Sequence, residues 1–71
     1  MADKQEIRHT TTTTMSVTKF WYGGLWYVDY LHTRDSDGEV FGIHNEVYCG
    51  EADADRAYNE ILFAMTPANS A

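Results

Sequence analysis

The sequence predicts an α+β domain, a three-stranded antiparallel β-meander with one C-terminal helix packed on one face (β-β-β-α). Three observations lead there. Two aromatic, β-prone runs, Lys19 to Tyr22 and Leu25 to Tyr30, are joined by Gly23-Gly24. A polar cluster, Arg34 to Gly38, separates the second run from a third alternating one, and an apolar stripe at helical spacing follows. The expected organisation is a flexible N-terminal tail over 1–12, a single domain over 13–66 and a C-terminal tail over 67–71.

The tail is expected because Met1 to Thr14 is polar apart from Ala2 and Ile7. The threonines Thr10 to Thr14 extend the first strand only if a neighbour pairs with them. From Thr13 to Tyr22 the first strand alternates, with Met15, Val17, Lys19 and Trp21 on one side and Ser16, Thr18, Phe20 and Tyr22 on the other. Glycine at both central positions supplies the positive φ that a two-residue turn needs. The register follows from that turn, with Tyr22 facing Leu25, Trp21 facing Trp26, Phe20 facing Tyr27, Lys19 facing Val28, Thr18 facing Asp29 and Val17 facing Tyr30. The side bearing Met15, Val17, Trp21, Trp26 and Val28 is expected to be the core side, with Lys19 interrupting it.

Asp35-Ser36-Asp37-Gly38 has strong turn chemistry and leads to a third strand over Glu39 to Cys49. Its inner side is read as Phe41, Ile43, Val47 and Cys49, and its outer side as Val40, Gly42, His44, Glu46 and Tyr48. Gly42 weakens the strand and marks a bulge or a close backbone approach, the bulge being the ordinary reading, and Cys49 reads as a buried structural thiol. Asp53 is the expected helix N-cap, with Asp55 favouring the positive end of the helix dipole. Ala54, Ala57, Tyr58, Ile61, Leu62 and Met65 recur at the spacing of one helical face. Asp55, Arg56, Asn59, Glu60 and Phe63 lie opposite, and Pro67 stops the helix.

Composition narrows function. Eleven acidic residues against five basic ones give a net charge of −6, which disfavours binding to phosphate backbones, so no direct nucleic-acid contact is expected. No apolar run approaches a membrane span, so no membrane contact is expected and the cytoplasm is the expected compartment. Asp35 to Glu39 begins like a calcium loop but lacks the terminal carboxylate. His32 and His44 have no third ligand at recognisable spacing. No phosphate loop, Ser-His-Asp arrangement or distinct carboxylate pair is present, so neither enzymatic activity nor a metal or cofactor is expected. A domain of this size buries only about 60% of the surface its unfolded chain exposes. Cys49 is the one cysteine, so no internal disulfide compensates, and association is the remaining route to stability.

The candidate binding surface is the other sheet side. Phe20, Tyr22, Leu25, Tyr27 and Leu31 cluster there, with Asp29, Asp37 and Glu46 expected at its rim. A single helix covers one face of a small sheet, so this face either contacts a partner, is covered by the first fourteen residues, or is itself the core in a reversed assignment. Under the first alternative the protein binds a protein partner, favouring one with a basic surface. Under a rival reading the same patch closes a homodimer with a structural or accessory role.

The β-β-β-α order is similar in outline to double-stranded-RNA-binding domains. Those carry a Lys-rich start to the final helix, whereas this helix region opens Glu51-Ala52-Asp53-Ala54-Asp55. In size, acidity, aromatic content and absence of catalytic motifs the chain resembles small acidic phage-encoded inhibitors, including anti-CRISPR proteins. That resemblance implies a compact domain that binds a host or defence protein and blocks it by occlusion.

Overall fold

The computed structural model describes residues 2–65. Its elements are β1 (Ala2–His9), β2 (Thr13–Tyr22), β3 (Leu25–Arg34), β4 (Val40–Tyr48) and α1 (Glu51–Met65). The strands form one antiparallel sheet in the order β1-β2-β3-β4. The α+β class with one C-terminal helix therefore stands, and the strand number is corrected from three to four. The expected tail over 1–12 is corrected with it, since Ala2 and residues 4–9 pair with β2.

The threonine run makes this possible by forming a turn. Thr10 Oγ1 accepts hydrogen bonds from the backbone N–H groups of Thr12 (3.3 Å) and Thr13 (3.0 Å), and the Thr10 N–H donates to the Thr13 carbonyl at 2.9 Å. The turn is tied across the sheet end to the β3–β4 connection. The Asp35 N–H donates to the Thr12 carbonyl at 2.8 Å, and the Thr14 hydroxyl donates to Asp35 Oδ1 at 2.6 Å.

The central hairpin has the expected register from Tyr22↔Leu25 to Val17↔Tyr30. Gly23 and Gly24 have φ of 63° and 87°, the left-handed region that the tight turn requires. The helix packs on the expected core side. Val17, Val28, Ala54, Tyr58 and Met65 are buried, and Met15, Trp26, Tyr30, Tyr48, Ala57, Ile61 and Leu62 pack against them. Trp21 shares that face but is 53% exposed. The helix begins at Glu51, so Asp53 sits in its first turn rather than at its cap, and the Ala54 N–H bonds the Gly50 carbonyl at 3.2 Å. Glu51 and Asp53 still meet the positive end of the helix dipole. Pro67 and the expected 67–71 tail lie outside the described residues.

The third expected strand, now β4, keeps Val40 on the outer side, opposite Thr33, but has its faces exchanged from Gly42 onward. Val28 pairs with Glu46 and Trp26 with Tyr48, so Gly42, His44, Glu46 and Tyr48 share the helix side. Phe41, Ile43 and Val47 are exposed, as is Cys49, which is not a buried thiol. The cause is the bulge. His32 pairs with Gly42 but Thr33 pairs with Val40, leaving Phe41 as an extra residue. One extra residue inverts the side on which every later side chain points.

Lys19 is 2% exposed on the core side. Its ammonium bonds Asp55 and, at 3.3 Å, Glu51, and it lies 4.8 Å from the Trp26 ring centroid. Burial pulls its pKa down, but the hydrogen bonds and charges of Asp55 and Glu51 outweigh that and leave it above the ordinary lysine value.

Candidate interaction surface

With α1 on one side of the sheet, the other side is open among the described residues. The strand registers sort this open face into transverse rows. Phe20, Tyr27 and Val47 form one apolar row, and Ile7, Ser16, Leu31 and Ile43 form a second, largely apolar one. Between them runs a polar row of Gln5, Thr18, Asp29 and Asn45, one residue from each strand. Alternation along each strand turns into stripes across the sheet because facing residues in an antiparallel ladder share a side.

The apolar rows are ordered by specific contacts. The Phe20 and Tyr27 rings stack with centroids 5.1 Å apart and planes 8° from parallel. Tyr22 is 71% exposed, Ile43 66% and Val47 51%. In the polar row Asn45 Nδ2 donates to Asp29 Oδ1 at 2.8 Å, and Gln5 Nε2 reaches the Thr18 hydroxyl at 3.4 Å. A shallow depression over this row is lined by Ser16, Thr18, Asp29, Tyr30, Leu31, Ile43 and Asn45.

The eight residues singled out in the sequence do not all meet here. Phe20, Tyr22, Leu25, Tyr27 and Leu31 share the open face, and Asp29 lies in its centre rather than at its rim. Asp37 belongs to the β3–β4 turn, where its carboxylate takes the Arg34 Nε–H at 3.1 Å and the Glu39 N–H at 3.1 Å. Glu46 lies on the helix side, where Nε2 of His44 approaches Oε2 of Glu46 at 3.2 Å. Glu46 is therefore corrected out of the surface. Ile7, Ile43 and Val47 enter it, together with the polar partners Gln5, Thr18 and Asn45. Ile7 was hidden by the polarity of its surroundings, and the β4 residues by the parity of the bulge.

Comparison of the chain with family models, with curated proteins and with solved structures finds no match. No group of three or more His, Cys, Asp or Glu side chains is placed to hold a metal among the described residues. His32 and His44 engage different neighbours, His32 meeting the Phe41 ring edge-on at 5.3 Å. No helix among the described residues is long and apolar enough to cross a membrane.

What the open face offers chemically is a flat platform. Two apolar bands give area, and the amide and carboxylate row between them gives hydrogen-bond direction. Asp29 is the one charged side chain among the residues named in these rows, so docking here desolvates little charge.

Proposed function

We propose that the protein is a small acidic binding module that acts by occlusion, laying its open sheet face on a host or defence protein and blocking it, as the phage-encoded inhibitors it resembles do. The observation that carries this reading is the uncovered four-stranded face. It holds Ile7, Tyr22, Leu31, Ile43 and Val47 as exposed apolar side chains around a polar row. Exposed apolar rows of this kind mark contact sites on small domains. The net charge of −6 favours a partner with a basic surface by drawing it into encounter over distance.

The test places a photo-crosslinking side chain at Ile7, on the open face at the edge away from β4, or at Asn59 on α1, and irradiates the protein in lysate of the cells that produce it. One partner should be captured from Ile7 and not from Asn59. Unlabelled wild-type protein should compete the adduct away, and Tyr27→Asp should compete poorly. Added wild-type protein should also inhibit the captured partner's activity. Equal capture from both faces, or a partner whose activity ignores the wild-type protein, overturns the proposal.

A further inference from the structure

We propose that β4 is the pairing edge of a symmetric homodimer, in which two copies join antiparallel about Asn45 to make one continuous eight-stranded sheet. This interface uses the free backbone edge of β4, whose Ile43, Asn45 and Val47 border the open face, and it is read by the state of association rather than by what that face binds.

The two sheet edges differ. β1 carries Lys4, Glu6 and Arg8, charges of the kind that guard an edge against pairing. β4 carries no lysine and no proline over its nine residues, and among the described residues nothing pairs with its outer side. α1 lies chiefly over β2 and β3, which leaves room above β4.

The phase of the backbone follows from the hairpin. In a two-residue hairpin the pair flanking the turn, here Tyr22 and Leu25, exchanges both hydrogen bonds, and bonded pairs alternate from there. Trp26, Val28, Tyr30 and His32 then bond toward β4. Their partners Tyr48, Glu46, His44 and Gly42 are spent inward. Ile43, Asn45 and Val47 thus turn their N–H and C=O groups to the free edge.

The side chains of β4 are complementary to their own reversed sequence. Centred on Asn45, the pairing sets Asn45 against its own copy and Ile43 against Val47, both as bonded pairs on the open side. On the helix side it sets His44 against Glu46, an imidazole facing a carboxylate, and Gly42 against the Tyr48 ring. No like charges meet, although the chain carries −6. Centring one residue earlier puts Ile43 opposite Asn45, and one residue later puts Glu46 opposite Glu46. The two-fold axis of the Asn45 arrangement is perpendicular to the sheet, so both helices lie on one side and the two open faces merge on the other.

Sedimentation equilibrium over a range of protein concentrations should show a monomer–dimer equilibrium. His44→Glu sets carboxylate against carboxylate at two symmetric places and should weaken the dimer on the order of tenfold, since two favourable cross-strand pairs become repulsive together. Mixing His44→Glu with Glu46→Lys should restore association as a heterodimer tighter than either variant alone. Both side chains are about half exposed, so the monomer fold should survive, which circular dichroism checks. Spin labels on the native Cys49 should report backbone positions about 27 Å apart, eight strand residues at about 3.4 Å each. A wild-type monomer at every concentration, a dimer indifferent to both variants, or a separation outside the range of this register overturns the proposal.

Discussion

Lys19 shows how a single side chain is read differently in sequence and in space. In the sequence it interrupts an apolar alternation. In the fold it is enclosed, and the carboxylates that accept its charge come from the first turns of α1, 32 and 36 positions away. No local spacing reveals such a partnership. The Lys19 hydrogen bond holds the Asp55 carboxyl below its ordinary value, opposed by a smaller effect of burial. A lowered carboxylate pKa stabilises the fold above its unfolded value and is lost as the pH falls through the folded one. The raised Lys19 pKa works in mirror image, stabilising fully below the ordinary lysine value and lost as the pH climbs through the raised folded one. The pair therefore supports the fold between the carboxylate and lysine ranges. Lys19→Met, which keeps the apolar stem, should change stability at pH 7 by about 1 kcal/mol or less, because the carboxylates it leaves behind on Asp55 and Glu51 are partly exposed and regain water. The variant should also lose less stability than wild type on acidification from pH 5 to 2. Thermal melts across that interval measure it, and parallel acid losses would remove the pair from the account.

Among the elements, the hairpin and the helix were legible because their signals are local. Gly23-Gly24 sets a register by turn chemistry, and the stripe from Ala54 to Met65 sets a buried face by periodicity. Ile61→Asp and Leu62→Asp should each unfold the domain, since a charge enters the helix–sheet contact. Asn59→Asp, on an exposed position, should shift the melting temperature little. Equal melts for all three would contradict the packing of α1. β4 was read with the wrong side inward because its parity rests on one bulged residue. This makes an uneven deletion series. Removing Phe41 takes out the extra residue and leaves Val40 opposite Thr33 and Gly42 opposite His32. Its ring contacts with His32 and Arg34 are lost, and the cost should be about 1–2 kcal/mol. Removing Asn45 should instead invert the rest of the strand and unfold the protein. Urea titrations of the two deletions distinguish these outcomes. β1 was missed for another reason, since polar strands at an edge need no apolar alternation once a neighbour supplies the hydrogen bonds.

For the molecule as a whole, charge and shape act at different stages of binding. The acidic excess acts over distance and the open face on contact. In surface plasmon resonance against the captured partner, raised salt should slow association, while Tyr27→Ala or Phe20→Ala should speed dissociation. An association rate indifferent to salt would remove the acidic steering. The class of fold was visible in the sequence, but the open face was visible only in part. Phe20, Tyr22, Leu25, Tyr27, Asp29 and Leu31 lie, with Ser16 and Thr18, on the one hairpin whose register is local, and Gln5, Ile7, Ile43, Asn45 and Val47 depend on pairings with other segments. The seclusion of Lys19 also supplies an analytical handle. The chain has two lysines, and the Lys4 side chain is 50% exposed against 2% for Lys19. A brief pulse of an acylating reagent should mark Lys4 in the native protein and spare Lys19. Peptide mass spectrometry of the Lys19 amine would then count, without any introduced probe, the fraction of molecules that have opened their core.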